Sequence, residues 1–124
     1  MAAKSKNVIV FTTYEVPYAI ELGWIREVFT IGHVTPVPQA PGAIAGVVNF
    51  RGSIVSVVDI RGLRTSQRAR ASQGESALLL EVDRVQLALR AGTIDEVSSL
   101  GPSARDGYLL DSRSREVELL QPEE

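Results

Sequence analysis

The sequence predicts an all-β domain built as a small barrel, and three observations carry that reading. Its apolar runs are short, rich in β-branched residues and bounded by Gly and polar breakers, the pattern of strands. Roughly nine or ten such runs follow one another at the spacing of a barrel architecture. The first of them, NVIVFTTY at 7–14, is apolar on both of its alternating faces at its start. A strand closed into a barrel has that pattern, whereas a strand on an open, half-wet sheet does not.

Taken in order, 7–14 and 17–22 (PYAIEL) form two strands joined by a turn around Glu15-Val16. In the first, Val8, Val10 and Thr12 share one side, and Ile9 and Phe11 the other. Residues 23–30 (GWIREVFT) place Ile25, Val28 and Phe29 at i, i+3 and i+4, which fits a short helical face and a curved strand equally. Gly32-His33 is a loop, and 34–41 is extended because three prolines forbid helix.

The stretch 41–62 (PGAIAGVVNFRGSIVSVVDIRG) is the centre of the chain. Its apolar runs 43–50 and 54–60 flank Arg51-Gly52 and predict an antiparallel hairpin. Gly52 accepts positive φ at the turn, which leaves Arg51 as a planar fork on the tip of a stiff ribbon, suited to a carboxylate on a partner. Residues 62–75 are a long exposed loop or linker between two halves, because 62–74 (GLRTSQRARASQG) has turn formers and no apolar period.

Strands at 76–82 and 85–91 face each other across Asp83-Arg84. There Val85, Leu87 and Leu89 alternate with Gln86, Ala88 and Arg90, predicting one wet face. Residues 93–100 are a further strand or turn with Ile94 and Val97 inward, 101–107 a loop, and 108–110 with 116–120 a last hairpin around 112–115.

A chain of 124 residues fits one domain, 1–124, large enough to bury a core. Zero cysteines exclude disulfides and thiol chemistry and fit a reducing, cytoplasmic setting. The N-terminal residues have no long apolar region for export, and no stretch approaches a membrane span. A net charge of −2 gives no electrostatic case for nucleic acid or anionic lipid.

Catalytic chemistry is thin. The one histidine, His33, lies in a loop; Ser53 and Ser56 have no Gly-x-Ser-x-Gly elbow. One histidine, no cysteine and scattered carboxylates make no metal site. No Gly-rich phosphate cradle precedes a helix, so no cofactor is expected. Arg61, Arg64, Arg68 and Arg70 form a basic loop, but no aromatic is interleaved and Asp59 and Glu75 flank it, so a solvated loop is favoured over a polyanion site.

The segments Ile25-Arg26-Glu27-Val28, Pro38 to Gly52, and Val57-Val58-Asp59-Ile60-Arg61 match V-x-E-V/I, P-x-x-P-x-x-I-x-G-V-x-N-x-R-G and V-V/I-D-L-R in order and spacing. On these motifs the chain resembles the CheW-like family of bacterial chemosensory coupling proteins. The resemblance implies two small SH3-like five-stranded barrels sharing a core, and a non-catalytic adaptor that docks the cytoplasmic tip of a methyl-accepting chemoreceptor in a groove between them. It implies receptor-binding roles for Arg51, Glu27, Ile25, Leu22, Asn49 and Gly52; Trp24, the one tryptophan, and Gly46 are candidate partner contacts on their own residue types. Other partners implied are a histidine kinase regulatory domain and another CheW-like protein, at cytoplasmic receptor clusters.

The residues themselves leave bland readings open. Arg51 can simply keep a turn soluble, Glu27 can lie on a wet face, and Ile25 and Leu22 can be core. Gly46 fits a bulge or close backbone approach, and Trp24 fits half-buried packing as well as an exposed anchor.

The first-half strands at 7–61 carry the likeness, and 76–120 is a shortened second half. Ala91-Gly92-Thr93-Ile94 stands where the family has V-D-x-V, and Gln121-Pro122 starts no docking helix. These departures put kinase binding in doubt and resemble short accessory members of gliding-motility (Frz-type) clusters. The alternative function is a stand-alone regulatory β-barrel that self-associates through strand edges and modulates a kinase or array assembly.

Overall fold

The computed structural model of the protein describes residues 5–122. Residues 1–4 and 123–124, on which the readings of the N-terminus and of the final residues partly rest, lie outside the described residues. The strands are β1 (Lys6–Thr13), β2 (Val16–Glu21), β3 (Ile25–Thr30), β4 (Ile44–Phe50), β5 (Ser53–Val58), β6 (Ser76–Val82), β7 (Val85–Leu100), β8 (Tyr108–Leu110) and β9 (Glu116–Leu119). One short helix, α1 (Ile60–Arg64), follows β5, and a single 3₁₀ turn (Leu22–Trp24) separates β2 from β3. The all-β expectation holds.

The chain forms two compact units, Met1–Trp24 with Thr93–Glu124, and Ile25–Gly92. In the first, the strand order is β7-β1-β2-β9-β8, with β2 and β9 parallel and the other neighbours antiparallel. The sheet returns on itself just after β7: Leu110 N–H donates to Gly101 O, and Ser103 N–H to Tyr108 O, both at 3.0 Å. Closure buries the inward face of β1, and the opposite face is buried as well. Val8 and Val10 join Ala19, Leu109 and Val117 in one core, and Ile9 and Phe11 on the opposite face are equally enclosed.

In the second unit β3 pairs with β6, β6 with β7, β7 with β5 and β5 with β4, the β5–β7 pair being parallel. Here too the strand that opens the unit supplies the closure. Thr35, a few residues beyond β3, exchanges both backbone hydrogen bonds with Val47 of β4 at 2.9 Å. The core gathers Ile31, Val48, Val55, Val57 and Leu79, with Phe29 and Phe50 packed against it.

Of the two readings left open for residues 25–30 the structure takes the strand, curved at a register shift between Ile25 and Glu27. Several other elements differ from expectation. The β1–β2 turn is Tyr14-Glu15, one residue earlier than expected. Gly92 does not end a strand. With φ 67° it bends β7, which continues from Val85 to Leu100, and so 93–100 is no separate element. Within it Val97 is outward, 62% exposed, rather than inward.

The face of β7 expected to be wet is exposed only at Gln86. Ala88 is fully buried in the second unit's core, and Arg90 Nε donates to Glu75 Oε2 at 2.7 Å. Nor is 62–75 a linker, since all of it belongs to the second unit. The buried Asp59 caps α1 by accepting from Gly62 N–H at 2.7 Å, and its other oxygen accepts from Arg70 N–H at 3.1 Å. Ala69 is buried, and its N–H donates to Gly42 O at 2.7 Å. Such polar ties leave no apolar period to read.

The tight hairpins share one backbone solution. Tyr14-Glu15 (φ 51° and 65°), Arg51-Gly52 (50° and 89°) and Asp83-Arg84 (50° and 68°) all carry two positive φ values, the geometry whose twist matches that of strands. Placing an L side chain there costs roughly 1–2 kcal/mol. Arg84→Gly is therefore expected to stabilise the fold by about 1 kcal/mol, seen as a higher urea midpoint at unchanged slope.

Asp111 organises the β8–β9 turn. Its Oδ1 accepts from Arg113 N–H at 2.9 Å and Arg115 N–H at 2.8 Å, and its Oδ2 from Arg115 Nε at 2.6 Å. Burial by itself raises its pKa, but the Arg115 and Arg113 hydrogen bonds and the Arg115 charge outweigh burial and hold it below the ordinary value. Its contribution is thus complete above the ordinary carboxylate pKa, about 3.9, and is lost as pH falls through the lower native value. Asp111→Asn is expected to cost about 1–3 kcal/mol at neutral pH, a deficit that shrinks below about pH 4 in denaturation curves taken across pH.

Candidate functional site

The β4–β5 hairpin is a stiff ribbon because Val48, Val55 and Val57 anchor it in the core while its pairing runs from Ile44↔Val58 to Phe50↔Ser53. Asn49 Oδ1 accepts from Gly52 N–H at 2.9 Å and pins the turn. Arg51 stands at the tip with its side chain 73% exposed.

Two contacts aim it. The guanidinium lies 5.0 Å from the centroid of the Phe50 ring, and Nη2 is 3.0 Å from Glu27 Oε1. Phe50 in turn packs on Phe29, ring centroids 4.7 Å apart. Glu27 and Phe29 lie on the same, half-buried face of β3, whereas Arg26 and Val28 alternate outward. The result is an aromatic pair with a cation laid over one ring and a carboxylate beside it. An exposed ion pair of this kind contributes only about 0–1 kcal/mol, so its effect is orientation rather than stability.

Of the eight residues singled out in the sequence, Glu27 and Arg51 meet as this pair, and Asn49 and Gly52 build the turn that presents it. Ile25 is half-buried on β3. Gly46 has a steric reason: a Cβ there would lie 2.6 Å from Thr35 O and 2.7 Å from Val34 Cγ1, at a register shift in β4. Leu22, exposed, and Trp24, half-buried, belong to the first unit.

The sequence reading passed over Ile54. It pairs with Asn49 beside the tip and is 68% exposed, and its place in a uniformly apolar run hid it. Arg64, Arg68 and Arg70 of the basic loop are exposed, as is His33. Among the described residues no group of three His, Cys, Asp or Glu side chains could hold a metal ion.

Residues 7–119 match the family model described as the CheW-like domain. The chain belongs to that family. Its members are non-catalytic scaffold and adaptor proteins. The chain is 25% identical over 92 residues to the chemotaxis protein CheW of Klebsiella aerogenes, a match covering 74% of this chain and 55% of that protein. It is 30% identical over 54 residues to the chemotaxis protein CheW of Rhizobium meliloti, covering 44% and 35%. The chain thus spans about half, or less, of the length of these curated relatives. The scaffolding protein TtCheW from Thermoanaerobacter tengcongensis shares the fold, with a TM-score of 0.76 at 20% identity over 94% of this chain and 89% of that one.

Asn49→Ala is expected to lose about 0.5–1 kcal/mol by freeing the Gly52 N–H. Arg51→Ala is expected to change stability by less than about 1 kcal/mol. Paired urea melts of the two variants check that order.

Proposed function

We propose that the chain is a non-catalytic adaptor of a bacterial chemosensory array that docks the cytoplasmic tip of a chemoreceptor with the face carrying Arg51. The observation that carries the reading is the exposed guanidinium on the β4–β5 tip, held over Phe50 and beside Glu27. A planar fork of fixed direction next to apolar surface, here the Phe50 ring, is suited to a carboxylate at the end of a helical rod: the apolar contact supplies affinity and the ion pair sets orientation. Because the Glu27 pair is exposed, exchanging its carboxylate for one on a partner sacrifices little. The family and the relatives named as chemotaxis proteins support a place in chemotactic signal transduction.

The test is a pull-down with two purified baits run side by side, a receptor cytoplasmic tip and a kinase regulatory domain. Arg51→Glu is expected to weaken receptor capture at least about tenfold while its thermal melt stays close to that of the parent. Undiminished capture by the folded variant overturns the assignment. Binding to the kinase bait tells whether the chain couples both partners or engages the receptor alone.

A further inference from the structure

The first unit has a polar hollow for which the adaptor reading has no use. It encloses about 530 Å³ and is lined by Thr12 of β1, Asp95, Glu96 and Ser98 of β7, and Ser112 and Arg113 of the β8–β9 turn, among others. That is room for a long side chain and the backbone that carries it.

Two independent features point to an occupant. One is an open strand edge. Between Thr93 and Leu100, β7 pairs with β1 along one side, and among the described residues no strand pairs with the other side. Closure resumes only at Gly101, which accepts from Leu110 N–H. Alternate N–H and C=O groups of 94–98 therefore point away from β1, on a stretch whose residues line the hollow, a template to which an extended peptide can add. Val97, outward in the middle of this stretch, offers an apolar contact for one of its side chains.

The other feature is unbalanced charge. Glu96 is held by two neutral hydroxyls, Ser98 Oγ at 2.8 Å and Ser112 Oγ at 2.7 Å, and Asp95 accepts from Thr12 Oγ1 at 2.5 Å. Among the described residues neither carboxylate has a cationic partner. Arg115, which also lines the hollow, is engaged by Asp111, which leaves Arg113 as the other cationic residue around two oriented carboxylates. The net call of the site is for a cation. A second copy pairing through the same edge would not supply it, because 93–100 (TIDEVSSL) carries no Lys or Arg and would bring two more carboxylates to the seam.

We propose that this edge docks an extended peptide segment bearing a Lys or Arg, which adds to β7 as a further strand and seats its cation against Glu96 and Asp95. The site is distinct from the Arg51 face and stands or falls separately from it.

The probe is a phage-displayed library of random heptapeptides, selected on the full chain and counter-selected on Glu96→Lys. Enriched peptides are expected to carry Lys or Arg among β-branched residues. A synthetic peptide from that set is expected to protect backbone amides of 94–98 from hydrogen exchange. Its affinity should fall about tenfold for Glu96→Gln, a variant whose amide oxygen still accepts from one serine hydroxyl while its amide nitrogen can donate to the other, and stay unchanged for Arg51→Glu. No enrichment over Glu96→Lys, enrichment of acidic peptides, or protection confined to other residues overturns the proposal. So does protection of 94–98 without peptide, together with a concentration-dependent dimer in light scattering, which assigns the edge to a second copy.

Discussion

A sheet of five strands has two edges, and each edge bares a row of backbone donors and acceptors that must be met. Both units meet them with irregular backbone lying just beyond a strand: Thr35 after β3 bonds to β4, and Gly101 and Ser103 after β7 bond to β8. The rest depends on these few hydrogen bonds. They enclose the inward face of β1, and they hold β4 firmly enough that its far end can carry a charged tip. Where closure is left unfinished, along 94–98, the fold leaves a seam.

The central ribbon presents a different economy. Arg51 is oriented by a ring and a carboxylate without being buried by either. A buried pair would be costly to break once formed and hard to exchange, since removing one partner strands a charge in low dielectric. An exposed pair is cheap to open and still narrows the directions the guanidinium samples. The aromatic stack of Phe29 on Phe50 supplies the floor beneath it, tying an exposed tip to the core by way of two rings.

Much of this was legible in the residues. Alternation on both faces of 7–14 points to closure, and the break at Arg51-Gly52 between β-branched runs locates the hairpin. What was hidden depends on contacts between distant residues. Gly92 looks like the end of a strand because a glycine break and a glycine bend are alike on paper; only the pairing of both flanks shows that β7 runs through. The 62–75 segment looks unattached because a single carboxylate, Asp59, and a few backbone groups hold it. The pairing of Glu27 with Arg51 follows from β3 and the β4–β5 tip meeting in one unit, which no local spacing encodes. Val97 was misplaced for a simpler reason: 93–99 alternate strictly between the two faces, so Val97, three residues from Ile94, falls on the opposite one.

The order of the chain sets an order of assembly. Everything the second unit needs lies between Ile25 and Gly92, while the first needs both Met1–Trp24 and Thr93–Glu124. On the ribosome, β1 and β2 emerge with apolar faces whose partners, β7 beyond Gly92 and then β8 and β9, are translated only after the whole inner unit. The inner unit can close while the outer hairpin waits, and that wait is when exposed apolar strands are open to wrong partners.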